Sequence, residues 1–174
     1  MCSENSRHKN GTEWRNFYGR FKGKSLSATQ TKALLTEFEK YSLKNISWEE
    51  NPLRKKIKLS EIFDEKPVWL EIGFGGGEHL IHQARLNPDI GFIGCEPYQN
   101  GVAKLMGKLN ANPCQNIKLY DGDVRNIFDV LAKNSISKVF LLYPDPWPKK
   151  RHHRRRFVTQ EFLAPLYDLS LIHI

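Results

Sequence analysis

From Pro67 onward the hydrophobic positions fall into short apolar runs separated by amphipathic stretches, the pattern of a chain that alternates buried strands with helices. The first run, V-W-L-E-I-G at 68–73, ends in a glycine-rich turn, and the stretch from Glu78 to about Leu86 then reads as a helix stopped before Pro88. G-F-I-G-C at 91–95 predicts a second strand, Tyr98 to Leu109 a second helix, N-I-K-L-Y at 116–120 a third strand and Val124 to Lys133 a third helix. K-V-F-L-L-Y at 138–143 is the most apolar run and predicts a fourth strand, and Phe157 to about Ser170 closes with helical character. Upstream, Leu34, Leu35, Phe38 and Tyr41 give Ala28–Tyr41 the spacing of a short amphipathic helix, while Asn51–Lys58, with Pro52 and four cations, reads as a linker or an edge. This alternation predicts an α/β fold with a parallel, doubly wound sheet, because each crossover must return a helix to the sheet face. Ligands of such sheets lie outside the carboxyl ends of the strands, which is where Glu71, Glu96, Asp123 and Asp145 fall.

Charge divides the chain further. The net +8 over 174 residues is segregated: residues 1–58 carry +7, residues 59–148 carry −3 and residues 149–174 carry +4. A mildly acidic middle between cationic pieces suits a core whose edges grip phosphates, since anion affinity follows local charge density. The expected organisation is a basic N-terminal extension, 1–58, and one core domain, 59–174. In the extension Trp14, Phe17, Tyr18 and Phe21 are interleaved with Arg15, Arg20, Lys22 and Lys24. Those rings either stack on bases or sugars while the cations meet phosphates, or pack on the protein's own core. Cys2, Cys95 and Cys114 form no C-x-x-C pair and no cluster with histidines, which argues for a reducing compartment and against a disulfide framework or a metal site. Cys95 reads as a small core residue. With no apolar leader region and no run long enough for a membrane span, a cytoplasmic location and no membrane association are expected.

The turn E-I-G-F-G-G-G-E, 71–78, places Gly73, Gly75, Gly76 and Gly77 where a strand passes into a helix, so that a ligand can approach the backbone closely. The dinucleotide fingerprint requires glycine at position 78, where this chain has Glu78. Glu71 and Glu78 bracket the turn with negative charge, which opposes a pyrophosphate and favours a cofactor carrying ammonium and sulfonium groups, such as S-adenosylmethionine. Glu96, ending the second strand 23 residues after Gly73, is placed to accept from both ribose hydroxyls. Asp123 is placed either to accept from the adenine amino group or to cap the helix beginning at Val124.

One segment remains, Y-P-D-P-W-P-K-K-R-H-H-R-R-R at 143–156. Pro144 and Pro146 have fixed φ and hold Asp145 in one direction, beside Trp147. Behind it come Lys149, Lys150, Arg151, Arg154, Arg155 and Arg156, with His152 and His153 among them. A lone acid at the root of a cationic run points to a reaction centre worked on a nucleic acid. Adjacent histidines with no third ligand make a poor metal site, so His152 and His153 read as RNA-facing hydrogen bonders.

Taken together, E-I-G-F-G-G-G, G-C-E-P and the 143–156 segment resemble the tRNA (guanine-N7)-methyltransferase family, over about Arg15 to Leu166. The resemblance implies a Rossmann-like class I S-adenosylmethionine-dependent methyltransferase fold, a mostly parallel sheet with helices on both faces. It implies methyl transfer to a variable-loop guanosine, with Glu71, Glu96, Asp123 and Asp145 at the cofactor, where the glycine turn already places Gly73 and Gly75. Asp145 matches the family's catalytic aspartate and Lys149 its substrate-contacting lysine, with Arg151, His152, Arg154 and Arg155 beside them on the tRNA. Family members continue with further strands beyond the helix that follows the basic run, so a core lacking its C-terminal strands is expected for a chain ending at Ile174. A monomer is expected, with a homodimer as the alternative. Three rival readings stand beside this one: a methyltransferase acting on an exocyclic amine, suggested by Y-P-D-P; an RNA-binding or inactive remnant; and, more distantly, a nicotinamide oxidoreductase.

Overall fold

The computed structural model describes residue 19 and residues 21–170; the expectations for Cys2, Trp14, Arg15, Phe17, Tyr18, Arg20 and the last four residues concern positions outside them. Four parallel strands, β1 (Val68–Ile72), β2 (Gly91–Cys95), β3 (Ile117–Tyr120) and β4 (Lys138–Leu141), form a sheet in the order β3-β2-β1-β4. The helices are α1 (Ala28–Thr36), α2 (Phe38–Tyr41), α3 (Leu59–Phe63), α4 (Glu78–Leu86), α5 (Gln99–Ala111), α6 (Arg125–Phe128) and α7 (Gln160–Leu169), with a 3-10 helix at Lys150–Arg155. Leu70 lies opposite Ile93 on one side and Val139 on the other. The chain steps outward from β1 to β3 and then returns to set β4 on the far side of β1, giving the Rossmann-like switch point between β1 and β4.

Packing follows the two-residue period of the strands. Val68, Leu70 and Ile72 of β1, with Ile93 and Cys95 of β2, face a layer completed by Phe63 of α3, Ile127 of α6 and Leu166 of α7. Phe92 of β2 and Ile117 and Leu119 of β3 face the opposite layer, against Ala33 of α1, Leu80 of α4 and Leu105 and Leu109 of α5. Each fully buried aliphatic side chain contributes about 1.5–3 kcal/mol, which holds the helices to both faces. Leu43 and Ile46 are buried in the first layer, and Leu43 N donates to Leu119 O at 2.7 Å, so the chain upstream of residue 58 is pinned to the sheet there.

The same alternation turns Glu71 away from its neighbours Leu70 and Ile72 and onto the α4 face. There its Oε2 lies 2.7 Å from His79 Nδ1, and the residue is only 3% exposed. Burial raises the Glu71 pKa, against the opposing hydrogen bond and charge of His79.

Three elements differ from the sequence pattern. The expected helix over Val124–Lys133 is helical only over Arg125–Phe128, because Val130 and Leu131 turn into the core and Val130 O accepts from Ile57 N at 2.9 Å. The expected single helix over Ala28–Tyr41 breaks at Glu37, next to Thr36, whose Oγ1 donates back to Lys32 O at 3.0 Å. The most apolar run forms β4, yet that strand is only partly buried, since it pairs with β1 and no strand among the described residues flanks its other edge.

The start of α5 lies backbone against backbone on the turn after β1: a Cβ added at Gly101 would stand 2.4 Å from Gly75 O. Gly101→Ala should therefore destabilise the fold by about 1–3 kcal/mol. Gly107→Ala, on the same helix where a Cβ meets nothing within 4 Å, should stabilise it by about 0.5–1 kcal/mol. Urea unfolding of the two variants checks both signs. Glu71 gives a pH test. A carboxyl whose folded pKa is raised favours the folded state fully below its ordinary value, 4.5, and loses that contribution as pH rises through the folded value. The stability of the unaltered chain relative to Glu71→Gln should thus fall as pH is raised from below 4.5 toward neutrality, as read from urea midpoints.

Candidate functional site

At the carboxyl ends of the strands a cleft of about 1650 Å³ runs from the turn after β1, past the loops after β2 and β3, to the loop after β4 and the 3-10 helix. Gly73, Glu96, Asp123, Asp145, Arg154 and Arg155 all line it, so four of the sequence-predicted cofactor positions and two of the predicted substrate positions share one concavity. Lys149 and Arg151 are exposed and outside its lining, and so is the half-exposed His152. Gly75 and Glu71 are also outside its lining. A smaller concavity of about 700 Å³ lies between residues 42–45 and 50–58, but several of its lysines are already engaged: Lys44 with Glu39, Lys58 with Glu61, and Lys56 with the carbonyls of Asp129 and Leu131.

Glu96 continues the parity of Phe92 and Gly94, which carries its carboxylate toward the turn after β1. One oxygen accepts from Gly75 N at 2.8 Å and the other from Tyr98 N at 2.9 Å, joining that turn to the N-terminus of α5. Gly73 and Gly75 both have positive φ, a conformation that L side chains rarely adopt. The two acids that bracket the turn in sequence do not present unpaired charge. Glu71 is held by His79, and Glu78 by Lys108, whose Nζ also donates to Gly76 O at 2.7 Å. Lys108 and its hydrogen bond lower the Glu78 pKa.

At the next loop Asp123 accepts from Arg125 N at 3.0 Å, as a cap for the turn that begins at Val124, and from Arg125 Nε at 2.9 and 2.8 Å. The Arg125 guanidinium lies 5.3 Å from the Phe162 ring of α7, so one buried cation ties Asp123 to the far wall of the cleft. Tyr120, on the same wall, is pushed up to about 12 by burial and stays a neutral phenol.

The loop after β4 is of a different kind. Tyr143 and Trp147 both have positive φ, 51° and 39°, and Asp145 between them is exposed. Trp147 is half-buried, edge-on to His152 at 5.5 Å and under the Arg155 guanidinium at 5.0 Å, whereas Tyr143 is 98% exposed. Loss of solvent, then the charges of Arg155, Arg151, Lys149 and Arg154, lower the His152 pKa below the ordinary 6.5, so its ring is neutral at pH 7.

Sequence reasoning passed over Arg125, His79, Gly101 and Asn100. Asn100 Oδ1 accepts from Gly23 N at 2.8 Å and its Nδ2 donates to Lys24 O at 2.7 Å, while Gln99 N donates to Phe21 O at 2.9 Å. These bonds bring Phe21 to the rim of the cleft. Only the D-x-R spacing of Asp123 and Arg125 was visible as a local signal; the others depend on contacts between distant segments. Among the described residues no helix is long and apolar enough to cross a membrane, and no cluster of three or more His, Cys, Asp or Glu is arranged to hold a metal ion.

Comparison with known proteins bears on this cleft. A family model described as "Putative methyltransferase" matches residues 65–169. The chain is 56% identical over 160 residues to the tRNA (guanine-N(7)-)-methyltransferase of Ruegeria sp. (strain TM1040), covering 92% of this chain and 63% of that protein. To the protein of the same name from Roseobacter denitrificans it is 59% identical over 152 residues, covering 87% of this chain and 65% of that one. The Cereibacter sphaeroides protein of that name is 56% identical over 156 residues, with 90% and 65% covered. The chain thus spans less than two thirds of the length of these curated relatives. Because the family model takes in all four strands and the loop that follows each of them, the chain belongs to this methyltransferase family.

Proposed function

We propose that the protein transfers a methyl group from S-adenosylmethionine to N7 of a guanosine in tRNA, with Asp145 beside the reacting base. The observation that carries this reading is the meeting, in one cleft, of a glycine turn braced by Glu96 and an exposed Asp145 carboxylate rooted in a run of cations. The names of the relatives, each a tRNA (guanine-N(7)-)-methyltransferase, support the choice of substrate and of atom.

The residues present fit an adenosyl sulfonium. A Cβ added at Gly73 or Gly75 would meet nothing within 4 Å, so the backbone of the turn is open to close approach. Glu96 uses one bond on each oxygen to brace the turn, and a carboxylate has about four acceptor sites, which leaves capacity for two ribose hydroxyls. Asp123, fixed by Arg125, would hold the adenine amino group.

When bound, the cofactor supplies an electrophilic methyl carbon. Guanine N7 carries a lone pair and no proton, so the protein needs no general base. Its work is placement, which for well-oriented partners supplies about 7–11 kcal/mol. As the purine becomes cationic, the Asp145 carboxylate stabilises the growing charge. Lys149, Arg151, Arg154 and Arg155 grip phosphates. Neutral His152 hydrogen-bonds without adding charge, and exposed Tyr143 offers a ring to a base drawn out of its stack.

Incubating the protein with labelled S-adenosylmethionine and bulk tRNA, then digesting to nucleosides, should yield 7-methylguanosine; unmethylated tRNA, or label on adenosine or cytidine, would refute the proposal. Asp145→Ala should lower turnover about a hundredfold while tRNA affinity stays within about threefold. In filter binding, Arg154→Ala should reduce the slope of log affinity against log salt by about 1, and His152→Asn should leave that slope unchanged at pH 7.

A further inference from the structure

We infer that Arg156 is a positioning residue that clamps the Asp145 loop, and that it is not one of the phosphate-gripping cations in whose run it stands. Its catalytic consequence rests on the methyl-transfer reading above. In Tyr143–Pro148 every second residue is a proline, so half of the backbone positions carry no N–H and the loop has few donors with which to hold itself. Two of its residues, Tyr143 and Trp147, are nevertheless kept at positive φ, a conformation that persists only where the surroundings enforce it. Around Trp147 the enforcing group is the Arg156 guanidinium: Nε donates to Pro146 O at 2.9 Å and Nη2 to Trp147 O at 3.2 Å, a two-pronged grip on consecutive carbonyls immediately after Asp145.

Arg156 is itself anchored. Its backbone N donates to His153 O at 3.1 Å, closing the 3-10 helix, and the next residue, Phe157, packs against the core layer and lies 4.6 Å, centroid to centroid, from Phe162 of α7. The clamp therefore transmits the position of the core to the Asp145 loop. It also separates Arg156 from Arg151 and Arg154, which are exposed, whereas Arg156 is half-buried with its charge directed at the protein's own backbone. A phosphate accepts any cation, but these two carbonyls are held from two different nitrogens of the guanidinium, Nε and Nη2, and a lysine, whose donors all sit on one terminal nitrogen, has none at the Nε position.

That difference sets the test, made on the full chain with Arg156→Lys, Arg156→Ala and Arg154→Ala. The clamp predicts that both Arg156 variants move the carbonyl carbon NMR shifts of Pro146 and Trp147. It also predicts methyl transfer slowed at least about tenfold, with tRNA affinity and its salt slope unchanged. Arg154→Ala should lower affinity and slope while the carbonyl shifts of Pro146 and Trp147 are kept. Arg156→Lys with unmoved shifts and full rate, or Arg156→Ala with intact rate and a salt slope reduced by about 1, would overturn the clamp. Should the unaltered protein transfer no methyl at all, the functional reading fails, and the carbonyl shifts alone decide whether the clamp exists.

Discussion

The buried carboxylate of Glu96 is the constraint on which the cleft depends. By accepting from Gly75 N and Tyr98 N it locks the turn after β1 to the start of α5, and the close approach of Gly101 to Gly75 O leaves no room for that turn to relax. Two charge-assisted hydrogen bonds from backbone donors are among the stronger contacts a carboxylate makes. The turn is held besides by Lys108 on Gly76 O and by its own Gly77 N on Phe74 O. The same group that would receive a ribose is therefore the one that shapes its seat.

Around this brace three acids of the middle of the chain have side-chain partners: Glu71 with His79, Glu78 with Lys108, Asp123 with Arg125. Asp145 stands apart from this scheme. It is exposed, on a loop held by Arg156, and it lines the cleft at the end where Arg154 and Arg155 stand. Under the proposed methyl transfer, this carboxylate is the one left beside the base that gains positive charge.

Much of this was legible in the sequence because it rests on short-range periodicity. The four strands, the glycine turn and the placing of Glu96, Asp123 and Asp145 at strand ends follow from apolar runs and the spacing of glycine, proline and acid. Glu71 shows where that reading stops: at a strand end it looked like a rim acid, but the alternation of side chains aims it at α4, and its partner His79 becomes evident only once that helix is packed on the sheet. Arg125 was missed because a D-x-R triplet is common. Asn100 could not be found at all, since its contacts join residues 76 and 77 positions apart. The short α6 misled the helical pattern because tertiary burial of Val130 and Leu131 outweighed local propensity.

Calorimetric titration of S-adenosylmethionine into the chain and into Glu96→Gln tests the central claim most directly. A glutamine has one acceptor oxygen and cannot hold Gly75 N and Tyr98 N while serving a ribose. The account predicts saturable binding to the unaltered chain, weakened at least about tenfold by the substitution, a loss of about 1.4 kcal/mol or more. Equal affinity in both, or no heat of binding in either, would contradict it.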